Sequence, residues 1–268
     1  MKRDSLAEER RRTGLRGRFI ASLFLCLLGL WAASALATDE IQGVKLRRDQ
    51  LPEGWRVTNE FPVPEEKLQS FRARFFAPID RMLYQSLLVR GSAEIRINYA
   101  SCPEERQTAT VYQKMIELVG NQNVVVKRGR VVVEIISKDP SLTEAVVDRL
   151  PISLLQKRKL RSPHIPPGWK LVSEISVVQR DLDLFEKRFE VKLEEMINQF
   201  LFVNQERLRL NYLAVLKEDE GQKAYERMID LTGGRNLVIK KARIIVEAIP
   251  ETPTMKTEVE SLLNRLLP

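Results

Sequence analysis

The chain contains one long segment twice, and this duplication limits the possible folds more than any other feature. Residues 51–150 return as residues 165–266. Two stretches mark the match, Leu51-Pro52-Glu53-Gly54-Trp55 with Ile165-Pro166-Pro167-Gly168-Trp169, and Tyr112–Glu134 with Tyr225–Glu247, where about half of the positions are identical. Self-similarity of this kind indicates two structurally similar units. Since each copy has about 100 residues, each is long enough to fold as a domain.

The first 37 residues have the pattern of an export signal. Residues 1–18 carry seven basic and three acidic side chains, an apolar run follows at 19–31, and Ala35-Leu36-Ala37 closes the segment. This pattern predicts a signal peptide that is cleaved after Ala37, and therefore a periplasmic or secreted protein. The alternative is an uncleaved inner-membrane anchor, because residues 19–37 are just long enough to span a bilayer. Membrane contact is expected only through those residues.

The net charge gives weak support for a nucleic-acid partner. The chain has a formal charge of +8 from 44 basic and 36 acidic residues. The leader accounts for half of that excess, because it holds seven basic and three acidic residues. A remaining excess of this size, on an exported protein, argues against nucleic-acid binding.

Each copy predicts the same sequence of strands and helices. A strand is predicted directly after the proline-glycine turn. A helix then begins at Pro64, with an apolar stripe at Leu68, Phe71 and Phe75. Strands are predicted at 85–89 and 94–100, the second with alternating apolar side chains. The second copy keeps the helix stripe as Leu182, Phe185 and Phe189.

The second half of each copy predicts a further helix, one bent strand or two strands, and a closing helix. Gly120 and Gly233 follow the second helix, where a left-handed residue commonly ends a helix. The turn between the last strands contains Gly129 in one copy and Ala242 in the other. Alanine disfavours positive φ, so we expect a bulge or a type I turn there. Closing helices are predicted at Ser141–Leu150 and Lys256–Leu266.

The element order is therefore β-α-β-β-α-β(β)-α, twice. It predicts an α+β fold, a tandem duplication with mainly antiparallel sheets covered on one face by helices. The split βαβ, ferredoxin-like topology is one form of such a fold. We expect the two copies to pack through a pseudo-twofold axis.

The segments that flank the repeats are short. Residues 38–50 form a lead-in segment, residues 151–164 a basic linker, and residues 165–268 the second repeat. The linker contains Gln156-Lys157-Arg158-Lys159-Leu160-Arg161. We expect this linker to be solvated; the alternative is contact with anionic lipid or another acidic partner.

Residues that carry catalysis or bind metals are scarce. The single histidine, His164, lies in the linker, and Cys102 is alone once the leader is removed, so no intramolecular disulfide is expected. No spacing suits zinc, no glycine-rich loop suits phosphate, and no nucleophile elbow occurs. We therefore predict no metal and no cofactor. A hydrolase with a dispersed pair of carboxylates stays open, because its members can lie far apart in the chain.

Several polar and aromatic residues are retained in both copies and are the candidate site. The simplest explanation of the polar set is cross-strand pairing on an exposed sheet face; the alternative is a face that binds an anionic group. The two tryptophans are expected as buried strand anchors, or as a surface that stacks on a ligand. Gln85 and Gln199 suit either a buried hydrogen bond to the backbone or a site contact. The candidates are Arg96, Asn98, Lys127, Glu134, Trp55 and their counterparts Arg209, Asn211, Lys240, Glu247, Trp169.

The sequence thus favours an exported, non-enzymatic binding or accessory protein of the bacterial cell envelope. Its expected partner is a protein or a small anionic ligand. The cleft between the copies is the default location for a site, because ligand sites favour interfaces between domains. A membrane-tethered structural subunit and the hydrolase are the alternatives.

Overall fold

The computed structural model describes residues 40–90, 93–120, 122–161 and 164–267. Val44–Pro268 form one compact unit that contains both repeats. The predicted leader, residues 1–37, lies outside the described residues, so its cleavage or retention stays a prediction. Among the described residues, no helix is both long enough and apolar enough to cross a membrane.

The first repeat is a five-stranded antiparallel sheet with helices packed against it. Its elements are β1 (Trp55–Pro62), α1 (Glu65–Phe75), β2 (Arg81–Val89), β3 (Ala93–Ser101), α2 (Glu105–Val119), β4 (Val124–Arg128), β5 (Val131–Ile136) and α3 (Pro140–Arg149). The strand order is β1-β2-β3-β5-β4. β1 and β2, which α1 connects, are antiparallel neighbours and not the parallel pair of a split βαβ unit.

The second repeat follows a short helix and has the same topology. Its strands are ordered β6-β7-β8-β10-β9. The α+β fold and the predicted element order are therefore confirmed in both copies, with two separate strands at the end of each sheet. The elements are α4 (Leu154–Arg158), β6 (Trp169–Ser176), α5 (Gln179–Phe189), β7 (Leu193–Val203), β8 (Glu206–Val215), α6 (Glu218–Thr232), β9 (Leu237–Lys241), β10 (Ile244–Pro250) and α7 (Met255–Leu266).

Helices cover both faces of the second sheet. α5 and α6 pack on the face that carries Met196, Leu213 and Ile245, whereas α7 packs on the opposite face, with Tyr212 and Val246. Side chains of a strand alternate between faces, so each sheet needs two apolar layers to bury both sets. The prediction of helices on a single face was therefore wrong for the closing helix.

Two turn details differ from the sequence prediction. Pro64 is the N-cap of α1 and precedes the first helical residue. Ala242 has a φ of 47°, close to the 51° of Gly129 at the equivalent turn. The expectation that alanine would exclude positive φ was wrong; the strand pairing on either side holds Ala242 in a conformation that costs roughly 1–2 kcal/mol.

The end of the predicted basic linker is buried inside the second repeat. Lys159, Leu160 and Arg161 are only 1%, 1% and 4% exposed. The backbone N–H of Leu160 donates to Tyr212 Oη at 3.2 Å, as that of Leu46 donates to Tyr99 Oη at 3.1 Å. These residues are an additional part of the duplication, and the prediction of a solvated linker was wrong for them.

Candidate functional site

A buried ion pair anchors the start of the second repeat to its edge strand. Lys159 Nζ lies 2.5 Å from Glu174 Oε1, and both side chains are 1% exposed. Gln199 Nε2 donates to Glu174 Oε2 at 2.8 Å and to the carbonyl of Leu160 at 2.9 Å. Burial lowers the pKa of Lys159 to about 8, although Glu174 opposes that shift. The lysine is therefore protonated at neutral pH, and the carboxylate compensates its charge.

The first repeat contains the same group of side chains. Lys45 Nζ lies 2.6 Å from Glu60 Oε1, and Gln85 Nε2 donates to Glu60 Oε2 at 2.9 Å and to the carbonyl of Leu46 at 3.0 Å. The predicted buried hydrogen bond from this glutamine to the backbone is confirmed. Because both copies contain this lysine, glutamate and glutamine, we infer that the three side chains stabilise the fold that the copies share.

Sequence reasoning singled out the two glutamines but missed the ion pairs that they contact, although a signal was present. In both copies a lysine lies ten residues before the tryptophan of the turn motif, and a glutamate lies five residues after it. The glutamates lie within the two copies as aligned, and an alignment extended upstream would also have paired the lysines.

Tyr112 connects the first repeat to this ion pair in the second. Its hydroxyl donates to Glu174 Oε1 at 2.9 Å and accepts a short hydrogen bond from Lys159 Nζ. Burial and the charge of Glu174 raise the pKa of Tyr112 well above its ordinary value. The tyrosine is therefore neutral, and it donates to the carboxylate while the lysine stays charged.

The next residue of α2 covers the outer edge of β6. Gln113 Nε2 donates to the carbonyl of Val172 at 2.8 Å, and Gln113 Oε1 accepts from the backbone N–H of Glu174 at 3.3 Å. The side-chain amide thus satisfies backbone groups of an edge strand that would otherwise be open to pairing.

The contact between the repeats runs in one direction. In the part of the chain that the structure describes, α2 packs on β6, but the equivalent helix α6 does not pack on β1. A twofold axis would require both contacts. The expected pseudo-twofold arrangement was therefore wrong, and the repeats are joined head to tail.

A cleft lies between the repeats, at the place that the sequence analysis favoured for a site. It has a volume of about 300 Å³, at the lower limit of small-molecule pockets. Tyr112 and Lys159 form part of its wall, and Ile116, Glu117, Lys170, Leu171, Val172 and Phe202 are among the remaining lining residues.

A second depression adjoins this inter-repeat cleft on the open end of the second sheet. It has a volume of about 580 Å³ and shares Val172 and Phe202 with the cleft. These two side chains are 38% and 40% exposed. The Arg209 guanidinium lies 5.5 Å from the ring centre of Phe200, a cation–π distance. We call Val172, Phe200, Phe202, Arg207 and Arg209 the aromatic face.

The first repeat has a different surface at the equivalent positions. Arg96 matches Arg209, but the other four positions differ: two are polar, one is aliphatic in place of aromatic, and one is acidic in place of basic. They are Thr58, Ser86, Leu88 and Glu94, in place of Val172, Phe200, Phe202 and Arg207. The same exposed sheet end is therefore more aromatic and more basic in the second repeat than in the first.

The predicted polar residues pair within their own sheets. Asn98 Nδ2 and Asn123 Nδ2 both donate to Glu134, each at 2.7 Å. Asn211 Nδ2 and Asn236 Nδ2 donate in the same way to Glu247, at 2.7 and 2.6 Å. The facing positions Asn98 and Glu134 are paired in the strand register, as cross-strand pairing predicts.

The arginines of these polar sets differ between the copies. Arg96 is exposed, whereas Arg209 Nε donates to Asn211 Oδ1 at 2.8 Å. Asn211 is in turn held by Glu247, so a short chain of hydrogen bonds orients the guanidinium of Arg209 at the aromatic face.

The predicted lysines lie on the same sheet faces as these polar sets but contact neighbouring helices. Lys127 Nζ is 5.8 Å from the ring centre of Tyr112 on α2. Lys240 lies beside α6, where its Cε would be 3.3 Å from a Cβ added at Gly221. Lys127 and Glu134 are thus diagonal neighbours in the register, as are Lys240 and Glu247, but among the described residues neither lysine forms an ion pair with its glutamate.

The two tryptophans occupy similar positions with different burial. Trp169 is 3% exposed, and its Nε1 donates to Glu258 Oε1 at 2.9 Å. Trp55 is half-buried. The strand-anchor interpretation therefore describes Trp169 well, and neither tryptophan belongs to the aromatic face.

The nucleophile and base candidates are poorly suited to catalysis. Burial raises the pKa of the Cys102 thiol to about 11, and its side chain is almost inaccessible. Burial and the nearby Arg161 lower the pKa of His164 to about 4. No group of three or more His, Cys, Asp or Glu side chains arranged to bind a metal occurs among the described residues.

The aromatic face is therefore the candidate site, assigned from exposure, chemistry and the difference between two copies of one surface. Sequence reasoning identified Arg209, Asn211 and Glu247 but missed the phenylalanines, which alternate along β7 like ordinary strand residues. Comparison of the chain with protein families, with curated proteins and with solved structures finds no match.

Proposed function

We propose that the protein is a non-enzymatic binding module of the bacterial cell envelope. In this proposal the aromatic face binds a ligand or a partner segment that combines an apolar body with an anionic group. One observation carries the proposal: the second repeat has Phe200, Phe202 and Arg207 where the first has Ser86, Leu88 and Glu94.

The chemistry of the face fits such a ligand. Binding is favourable when a ligand removes exposed apolar side chains at the edge of a depression from water. Guanidinium groups bind carboxylate, sulfonate or phosphate oxygens through charge-assisted hydrogen bonds. Arg209 is already oriented by Asn211, so it loses little conformational freedom on binding. A volume of about 580 Å³ accommodates a small molecule or one large side chain of a partner.

The cell-envelope part of the proposal is supported by the leader pattern of residues 1–37. Mass spectrometry of the protein recovered from its host tests it. A chain that begins near Thr38 supports export with cleavage. An intact Met1 in the membrane fraction supports the anchored alternative, and an intact chain in the cytoplasm contradicts both.

Binding is best tested with a probe of matching chemistry. Anilinonaphthalene sulfonate joins an apolar aromatic body to a sulfonate, and its fluorescence reports the bound state. We expect saturable binding to the native chain. The double variant Phe200→Ser/Phe202→Leu, which restores the residues of the first repeat, should weaken binding about tenfold or more, because it removes most of the apolar contact area.

The matched control is Phe61→Ser in the first repeat. Phe61 is 50% exposed, so this variant removes a comparable apolar area elsewhere on the surface. Equal loss of binding in the control and in the double variant would indicate nonspecific adsorption and would contradict the proposal, as would native binding in the double variant.

A further inference from the structure

Among the described residues, the contact that joins the two repeats has an unoccupied counterpart on each repeat. Inside the chain, α2 of the first repeat covers the edge strand β6 of the second. Within the described residues, β1 is the equivalent edge strand, and α6 is the equivalent helix with no further sheet beside it. The duplication therefore presents a receiving surface on β1 and a donating surface on α6.

The receiving surface on β1 has the same strand geometry as β6, which α2 already covers. The strand register shifts between Val57 and Asn59 in β1, and at the equivalent place between Leu171 and Ser173 in β6. The bulge therefore presents the same kind of edge. The ion pair beside it is more open in the first repeat, where Lys45 and Glu60 are 14% and 33% exposed, against 1% for each partner in the second.

The donating surface keeps the side chains that make the internal contact. Tyr225 takes the place of Tyr112, and Ile229 takes the place of Ile116. In α2 both residues are buried, whereas in α6 both are partly exposed. The difference in burial follows from the missing sheet, since the helices themselves are equivalent.

The charges across the two surfaces are complementary. Glu117 and Lys170 face the internal cleft, and their equivalents are Asp230 on α6 and Arg56 on β1. Both equivalents are exposed. Gln113 is replaced by Glu226; a carboxylate retains the ability to accept from a backbone N–H, which is one of the two bonds that Gln113 makes.

We propose that a second copy of this chain docks head to tail, with α6 of one copy covering β1 of the next. Tyr225 then lies against Lys45 and Glu60, as Tyr112 lies against Lys159 and Glu174. This contact is independent of the aromatic face and goes beyond the proposed function. Because the two surfaces differ, each copy can dock its α6 on one neighbour and accept α6 of another neighbour on its β1. Assembly therefore continues to a filament or closes into a ring.

Sedimentation velocity of the native chain over a wide range of concentration tests this proposal. We expect the mean mass to increase with concentration, beyond that of a dimer. Arg56→Glu and Asp230→Arg each place like charges across the contact and should each weaken association about tenfold or more. In an equimolar mixture both contacts between unlike variants are complementary, because the unchanged Asp230 of one faces the unchanged Arg56 of the other and the two substituted side chains carry opposite charges. The mixture should therefore associate again, with the variants in alternating order.

Two controls make the result decisive. Arg180→Glu changes the net charge as Arg56→Glu does, but on α5, and should leave association unchanged. The aromatic-face variant Phe200→Ser/Phe202→Leu should also associate normally. A native chain that stays monomeric, or charge variants that associate like the native chain, would overturn the proposal. Loss of association only in the aromatic-face variant would assign the contact to another surface and overturn it as well.

Discussion

The hydroxyl of Tyr112 in the first repeat lies 2.9 Å from Oε1 of Glu174 in the second, and donates a hydrogen bond to it. Glu174 is also the partner of the buried Lys159. One carboxylate therefore closes the edge of its own sheet and holds the neighbouring repeat. The inter-repeat cleft depends on this junction, because α2 forms part of its wall.

Removal of the Tyr112 hydroxyl should destabilise the protein. Tyr112→Phe leaves two buried charged groups with one partner fewer, and we expect a loss of about 1–3 kcal/mol in the free energy of unfolding. Tyr225→Phe is the matched control, since that ring is partly exposed, and should change stability by less than about 0.5 kcal/mol. Urea denaturation followed by circular dichroism measures both. Equal effects would show that the junction contributes nothing specific.

The two equivalent ion pairs should differ in their contribution to stability. Glu174→Gln leaves the charge of Lys159 buried without compensation, which should cost about 3–5 kcal/mol. Glu60→Gln affects a pair that is 14% and 33% exposed, and should cost about 1 kcal/mol or less. The comparison uses the same urea assay. A larger loss in Glu60→Gln would contradict the burial on which the junction is based.

The polar residues of the sheets should contribute to stability more than to binding. Glu134→Ala leaves the amides of Asn98 and Asn123 without their common acceptor, and should cost about 1–3 kcal/mol. Probe binding should be unchanged, because this group belongs to the first sheet. Glu247→Ala should cost a similar amount and also weaken binding, since Asn211 orients Arg209. Titration of anilinonaphthalene sulfonate separates the two variants; identical binding would argue against an oriented Arg209.

His164 should make stability decrease in mild acid. Burial and Arg161 lower its folded-state pKa to about 4 from an ordinary value of 6.5. Between these values the unfolded chain binds a proton that the folded chain does not, so stability falls as pH falls through that window. The partly buried carboxyls of Glu144 and Glu195, whose pKa values are raised by desolvation, act in the opposite direction.

The variant His164→Gln isolates the histidine contribution. It should lose less stability than the native chain between about pH 7 and about pH 5, by an amount on the order of 1 kcal/mol. Urea midpoints at both pH values measure this. An unchanged pH dependence would mean that His164 titrates normally in the folded protein.

Much of the fold was predictable because local patterns and the fold agree. Ile95, Ile97 and Tyr99 alternate with polar residues, and the structure buries all three completely. Of the helix stripe, Leu68 and Phe75 lie in one core cluster and Phe71 packs against it. Where two copies shared a pattern, the element followed it, since side-chain periodicity is set by strand and helix geometry.

The remaining features depend on packing between distant segments, which local patterns do not contain. A charged residue such as Lys159 is rarely buried unless it is paired, and its partner Glu174 lies 15 residues away on another element. Alternation along β7 places Phe200 and Phe202 on one face, but only the helix positions decide which end of that face stays open. The one-way contact of α2 with β6 was hidden for the same reason.

Mapping where the probe binds is the strongest test of a binding site on the aromatic face. The two repeats provide the internal comparison. Amide shifts of the ¹⁵N-labelled chain should be followed by NMR during titration with anilinonaphthalene sulfonate. We expect the amide signals of Val172, Phe202 and Arg209 to shift. The signals of the equivalent amides, Thr58, Leu88 and Arg96, should not change. Equal shifts in both repeats, or shifts confined to the first, would contradict a binding site on the aromatic face.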